Sequence, residues 1–330
     1  VDQPGQIWAL GDRYSNIPWI EFDKMRPKIG LALGSGAARG WSEIGIIEGL
    51  ASLGIVPEIV SGTSIGALIG AAFVTGKLPA LKARMENFNR RDVGSMLDPH
   101  LSSGGLIEGK RIENFLEGLG ISGSIESLGS RYAAVATDLA SGREVWLQKG
   151  SIGRAVRASI GIPGVFSPTK HEGDDRWLVD GGLVNPVPVS LARALGADIV
   201  IAVELTSELI GRRFVDDDAN PSTTPAAMPS QAPQWLKDTV SPLLTHLLQA
   251  GPDYPNYFGV LANSLNIMQD RIARARLAGD PPEVLLRPNV AQFTWLDFHR
   301  AKEAMAEGLS CVQVAEPLIK RACRDAIAGP

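Results

Sequence analysis

Three short stretches carry residue types able to do nucleophilic chemistry. The first, Gly62-Thr63-Ser64-Ile65-Gly66, is a GxSxG. A serine at its centre, on a tight turn from strand to helix, presents its hydroxyl from a strained backbone position. The flanking glycines keep side chains from blocking it. The helix that follows offers free amides and a positive dipole end to a developing oxyanion. The competing reading is an ordinary strand-to-helix turn in which Ser64 is only a cap.

The second stretch is Gly34-Ser35-Gly36-Ala37-Ala38-Arg39-Gly40. Its small residues let backbone amides converge into an anion nest. Such a nest either cradles a phosphate or supplies an oxyanion hole from a neighbouring loop. A third reading is a tight turn that needs glycine for packing. The dinucleotide fingerprint does not fit, because Arg39 stands where the third glycine belongs and Gly40 comes one residue late. No G-K-[ST] follows, so this is not a P-loop.

The third stretch is Asp180-Gly181-Gly182, followed by Asn185-Pro186-Val187-Pro188. An aspartate at a strand end sits where open sheets place ligands. A serine hydroxyl needs a base to become a nucleophile, and that base is usually histidine. None of His100, His171, His246 and His299 has a distinctive setting. This favours Asp180 acting directly on Ser64. A free aspartate, with a pKa of about 3.9, is a poor base. A partly desolvated site would raise its basicity. The alternative is a turn aspartate of the common Asp-Gly kind.

The elements that must position these residues follow from periodicity. Ile29 to Leu33 is a short apolar run ending at Gly34-Ser35-Gly36, which reads as a buried strand. Ile44, Ile47, Leu50 and Leu53 are spaced by three, a helix face closed by Gly54. Ile59-Val60 is the next strand and runs into GxSxG and a small-residue helix over Ala67 to Thr75. This β-α-β-α order predicts a parallel sheet covered by helices. Further on, a helix is expected over 81–88, a short helix near 111–119 inside a loop-rich stretch (92–130), and a hairpin of 132–137 with 144–147. Beyond these come a helix over 152–159, a strand over 177–179, a helix over 189–195 and a central strand over 198–204. In the C-terminal third, helices are expected over 235–249 and 257–278, a strand over 283–286, and helices over 297–308 and 314–328 with a break at Pro317. In the 257–278 helix, Leu261, Leu265, Met268, Ile272 and Ala275 form the apolar seam, read as a packing face in preference to a membrane-facing one.

The 330 residues are 45% hydrophobic and 21% charged, ordinary globular usage that excludes disordered and collagen-like chains. A net charge of −4 argues against a nucleic-acid binder. Cys311 and Cys323 are too few for a disulfide framework and read as reduced thiols. No histidine pair has metal-ligand spacing, which argues against a metal enzyme. Residues 1–26 lack a basic segment followed by an apolar run, which argues against a secretory signal. The longest apolar stretch, Ile65 to Val74, is far shorter than the roughly 20 residues a spanning helix needs. The expectation is a cytoplasmic protein, with peripheral contact at the inner face of the membrane. Four parts are expected: an arm (1–26), a catalytic core (27–206), a mobile acidic and Pro-rich loop (207–234), and a helical part packing on the core (235–330).

Taken in order, GSGAARG, GTSIG and DGG resemble the motifs of the patatin-like phospholipase family, over about residues 28–205. The stretches KIGLALGSGAARGWSEIGIIEGL, AAVATDLASGREVW, ASIGIPGVFSP and LVDGGLVNPVPVSLARALGADIVIAVEL are similar to the bacterial RssA-type branch related to neuropathy target esterase. So is ARLAGDPPEVLLRPNV with TWLDFHRA, beyond the acidic loop. The resemblance implies a three-layer α/β/α fold with a mostly parallel sheet. It implies Ser64 as nucleophile, Asp180 as its base, the amides of Gly36 and Ala37 as oxyanion hole and Arg39 as the basic residue shaping that loop. Gly34, Ser35, Gly40, Gly62, Gly66, Gly181 and Gly182 support the motifs. The family loop usually has glycines where this chain has Ser35-Gly36-Ala37. Ala37 narrows the backbone angles but keeps its amide. The implied activity is hydrolysis of a lysophospholipid or another fatty-acyl ester through an acyl-serine, a reaction that requires no metal or cofactor.

Acyl-groove walls are sought in Met96, Leu97, Leu101, Leu106 and Ile107 and in the Ile162 to Phe166 turn, all of which would serve equally as core. Two other classes compete. A nucleotide-binding regulator would use GSGAARG as a phosphate nest. A non-catalytic protein on a hydrolase scaffold would engage a regulatory partner through the 207–234 loop.

Overall fold

The computed structural model describes residues 26–89, 92, 110–206 and 257–327. The arm before residue 26, the 207–234 loop, the 235–249 helix and the proposed groove residues Met96, Leu97, Leu101, Leu106 and Ile107 lie outside that set.

One eight-stranded sheet organises the rest, in the order β5-β6-β3-β2-β1-β7-β8 with β4 also on β3. Its strands are β1 (Ile29–Leu33), β2 (Ile59–Thr63), β3 (Arg131–Asp138), β4 (Glu144–Leu147), β5 (Thr169–Lys170), β6 (Trp177–Asp180), β7 (Ile199–Val203) and β8 (Val284–Leu286). The run β3-β2-β1-β7-β8 is parallel, and β4, β5 and β6 are antiparallel to their neighbours. Parallel strands need crossovers, and a sheet covered on both faces needs apolar residues on both. The short, nearly unbroken apolar runs of β1 and β7 meet that need.

The helices are α1 (Trp41–Ser52), α2 (Ile65–Val74), α3 (Leu78–Glu86), α4 (Lys110–Gly118), α5 (Ile152–Ser159), α6 (Val189–Ala194), α7 (Tyr257–Gly279), α8 (Ala301–Ala322) and α9 (Arg324–Ile327). Period-2 alternation sorts them into layers. Ile29, Leu31, Leu33, Ile201 and Val203 point into the larger core with residues of α1, α2, α5 and α8. Ala32, Val200 and Ala202 point the other way, onto Val189 and Ala192 of α6 and Ala273 of α7. The result is a three-layer α/β/α sandwich.

Helices α1 and α8 touch backbone to backbone. A Cβ on Gly45 would lie 1.9 Å from the Met305 carbonyl oxygen, and one on Gly308 would lie 1.8 Å from that of Ser42.

Two expectations fail here. The helix does not break at Pro317, because α8 runs through it from Ala301 to Ala322. Proline deprives the Gln313 carbonyl of its helical donor. Gln313 and Pro317 are exposed, so water can serve that carbonyl, while Val312 and Ile319 stay buried and hold both turns on the core. The seam of α7 is also rotated. Met268 and Ala275 are exposed, and the buried face carries Leu265, Asn266, Gln269, Asp270 and Ala273. Asn266 and Gln269 face inward onto Arg39 and Ser35, and Asp270 pairs with Arg274 one turn along the same helix.

Candidate active site

Strand β3 brings the first and third motifs together. Its residues Ala134–Thr137 pair with β4 along one edge. Both β2, opposite Arg131–Val135, and β6, opposite Ala136–Asp138, must therefore lie along the other edge. The former runs parallel to β3 and the latter antiparallel, so their C-terminal ends meet head to head. Thr63 sits opposite Val135 and Asp180 opposite Ala136, the next residue. Gly181 permits this junction, since a Cβ there would lie 2.2 Å from the Val135 carbonyl oxygen.

Ser64, the residue after β2, donates from Oγ to Asp180 Oδ2 at 2.7 Å. Its backbone angles, φ 56° and ψ −121°, are those of a strained turn. Ser64 holds the N-cap position of α2, yet its hydroxyl makes no capping bond. That removes the capping reading of the motif. The strain is held from three sides. The Ser64 amide donates to Ser159 Oγ at 2.8 Å, and that hydroxyl donates to the Val135 carbonyl at 2.6 Å. Gly62 and Gly66 allow strand and helix to close on each other. A Cβ on Gly62 would meet the Gly66 oxygen at 2.5 Å, and one on Gly66 would meet the Leu33 oxygen at 2.4 Å.

Asp180 is buried. Its Oδ1 accepts from the Gly182 amide at 2.7 Å, and its carbonyl accepts from Thr137 Oγ1 at 2.7 Å. Burial raises its carboxyl from 3.8 to about 6, against the lowering pull of the Ser64 and Gly182 hydrogen bonds. Desolvation wins because the charged form has lost its water while only two donors replace it. The turn reading of Asp180 is thus half right: it does cap the Gly181–Leu183 turn, and its other oxygen faces the serine. His171 is engaged elsewhere, with Nδ1 3.1 Å from Asp174.

The glycine-rich loop leaves β1, the strand beside β2, at the same end of the sheet. Its turn of 3-10 helix spans Ala37–Gly40. A Cβ on Gly40 would lie 2.3 Å from Ile65, so the loop rests on the first turn of α2, next to Ser64. The Ser35 amide donates to Pro186 O at 2.8 Å, that of Ala38 to Trp295 O at 3.3 Å, and that of Arg39 to Gly36 O at 3.2 Å. Among the described residues, the amides of Gly36 and Ala37 donate to no protein group. Ala37 takes φ 51°, a left-handed angle that costs a residue with a Cβ about 1 kcal/mol.

Gly34 and Gly36 are pressed against β7 and the residues after it. Their Cβ atoms would lie 2.4 Å from Val203 O and 2.6 Å from Leu205 Cδ1. A Cβ on Gly182 would fall 2.9 Å from both Asp180 Oδ1 and Ser35 Oγ, so Ser35 lines the dyad from the loop side. Arg39 is fully buried; its Nε donates to Gly36 O at 3.0 Å and its Nη2 to Asn266 Oδ1 at 2.9 Å.

The predicted site residues therefore gather at one end of the sheet. Others that the motifs did not include gather with them. Ser159 lies in the ASIGIPG stretch, where nothing in the sequence marks it as a partner of Ser64. Glu43 accepts from the Gly34 amide at 2.7 Å, and burial pushes its carboxyl well above the usual carboxylate range. A charged residue among the small and apolar ones of α1 was the available signal. Asn266 and Gln269 gave none, since apolar periodicity pointed to the other face of α7.

Of the groove walls named from sequence, the turn from Ile162 to Phe166 is described. Ile162, Val165 and Phe166 are half-buried, and Leu261 of α7 approaches Gly164. No described helix is long and apolar enough to cross a membrane.

Residues 31–193 match the profile of the Patatin-like phospholipase family. An uncharacterized NTE family protein of Mycobacterium tuberculosis is 32% identical over 326 residues, covering 86% of this chain and 89% of its own length. Patatin-like phospholipase domain-containing protein 7 of Rattus norvegicus is 32% identical over 201 residues, covering 59% of this chain and 15% of that protein. Among solved structures, VipD from Legionella pneumophila aligns over 88% of this chain and 67% of that one, with a TM-score of 0.49 and 13% identity.

Proposed function

Because this chain belongs to the NTE-related patatin-like phospholipase family, we propose that it is a serine lipid acyl hydrolase working through a Ser64–Asp180 dyad. The family match supports lipid hydrolysis in general. The observation that carries the finer reading is the 2.7 Å bond from Ser64 Oγ to a desolvated carboxylate.

Asp180 Oδ2 takes the hydroxyl proton as Ser64 Oγ attacks the acyl carbonyl of a lysophospholipid or similar single-chain ester. With its carboxyl at about 6, Asp180 is mostly ionised at pH 7 yet more basic than a free aspartate. The carbonyl oxygen becomes an oxyanion held by the Gly36 and Ala37 amides. A preorganised donor of this kind contributes roughly 3 kcal/mol to the transition state. Protonated Asp180 returns the proton to the departing alcohol, leaving an acyl-serine. Water, deprotonated by Asp180, then releases the fatty acid and restores Ser64.

The test is fatty-acid release from a lysophospholipid and a short-chain acyl ester, wild type beside Ser64→Ala, with and without phospholipid vesicles. Release by wild type alone is expected, and stimulation by vesicles would indicate work at a membrane surface. No release from any ester by a folded wild type would refute the reading in favour of a regulator on a hydrolase scaffold.

A further inference from the structure

The oxyanion loop is held by its own Arg39 and also from outside its sequence. Ala37 sits at φ 51°, where a residue with a Cβ prefers not to stay. At the peptide that joins Gly36 to Ala37, and again at the Ala38 amide, the loop is tied to a single atom, Asn266 Oδ1 on α7. One tie runs through Arg39, whose Nη2 donates to that oxygen at 2.9 Å while its Nε donates to Gly36 O at 3.0 Å. The other runs through Trp295, whose Nε1 donates to the same oxygen at 2.8 Å and whose carbonyl accepts from the Ala38 amide at 3.3 Å. Asn266 is buried, which shields this oxygen from bulk water. One turn along the same face, Gln269 Oε1 stands 3.5 Å from Ser35 Oγ.

We propose that Asn266 is the positioning residue of the oxyanion loop: its amide oxygen, gripping Arg39 and Trp295 together, keeps the Gly36 and Ala37 amides aimed where the oxyanion forms. The inference rests on the hydrolase reading of Ser64 and Asp180. Asn266 touches no reacting atom. It acts because loop donors misplaced by an ångström lose much of their worth, of the order of 100-fold in rate. It also gives helix α7, outside the three motifs, a part in positioning the chemistry.

The experiment compares wild type, Asn266→Leu, Asn266→Asp and Ser64→Ala. Leucine keeps the volume and removes the acceptor, and aspartate restores an acceptor oxygen at the same place. Two quantities are read: kcat and KM for a short acyl ester, and inhibition by a trifluoromethyl ketone carrying the same acyl chain, which becomes an oxyanion on Ser64. Asn266→Leu should lower kcat about 30-fold with KM within about 3-fold, and weaken the ketone in proportion. Asn266→Asp should keep kcat within about 5-fold of wild type.

Undiminished kcat and ketone affinity in Asn266→Leu would overturn the proposal. So would an equal loss in both variants, since the acceptor oxygen would then be irrelevant. If Asn266→Leu does not fold, Asn266→Asp decides, and a 30-fold loss in the folded aspartate variant counts against the proposal. A wild type that hydrolyses no ester, or a Ser64→Ala that still does, would instead remove the dyad reading beneath it.

Discussion

Turnover should fall with acid, and the midpoint follows from the burial of Asp180. The base works only as a carboxylate, and its carboxyl titrates at about 6 because desolvation outweighs the Ser64 and Gly182 hydrogen bonds. The ionised fraction is then about 0.9 at pH 7 and about 0.1 at pH 5, so kcat/KM should drop roughly tenfold between them and tenfold more per unit below. The assay is mass-spectrometric measurement of fatty acid released from an uncharged ester from pH 4.5 to 8.5, with circular dichroism confirming the fold at each pH. The same shift carries a stability signature of opposite usefulness. A carboxyl raised from 3.8 to about 6 binds its proton more tightly in the folded state, so stability is lost as pH rises through that window. The full cost above it is about 3 kcal/mol. Asp180→Asn should therefore abolish turnover and yet melt higher than wild type at pH 8, with the advantage fading toward pH 4. A flat profile from pH 5 to 8, or a midpoint near 4, would refute the desolvation argument. A lower melting temperature for the asparagine variant at pH 8 would do the same.

Three further outcomes test the architecture. Ser64→Gly should be inactive yet lose less than about 1 kcal/mol in denaturant unfolding, because relief of the positive φ offsets the lost hydroxyl bond to Asp180 and the entropy of glycine; a loss of about 3 kcal/mol or more would mean the turn is not strained. Gly45→Ala should cost more than about 3 kcal/mol, since its methyl would meet the Met305 carbonyl in α8 and neither backbone can yield cheaply; an unchanged unfolding midpoint would deny the α1–α8 contact. Glu43→Gln keeps an acceptor for the Gly34 amide and removes a buried acid whose carboxyl lies well above 4.5. Thermal melts should show its advantage over wild type growing as pH rises above that value, and a constant difference would mean Glu43 is ionised in the folded protein.

The sequence alone determined what is local. Strand and helix order came from apolar spacing, because a strand or helix face is written within a few consecutive residues. Ser64 and the Gly34–Gly40 loop were legible because each occupies one strand-to-helix turn, and Gly54 closed α1 where its φ of 75° needs a glycine. Asp180 was named as a base by elimination among histidines and by resemblance.

What only the tertiary structure decided is what depends on residues far apart. Ser64 and Asp180 are 116 positions apart, and they meet because β2 and β6 share one edge of β3 in opposite directions. The basicity of Asp180 is a property of its burial, which no neighbouring residue encodes. Pro317 continues a helix because its turn is exposed and the flanking ones are packed. The inward face of α7 carries polar side chains beside Leu265 and Ala273, since Asn266 finds Arg39 and Trp295 there, and a partnered buried amide outweighs the pull of Met268 toward the core. Periodicity records which residues avoid water, and it is blind to polar groups whose partners arrive from elsewhere in the chain.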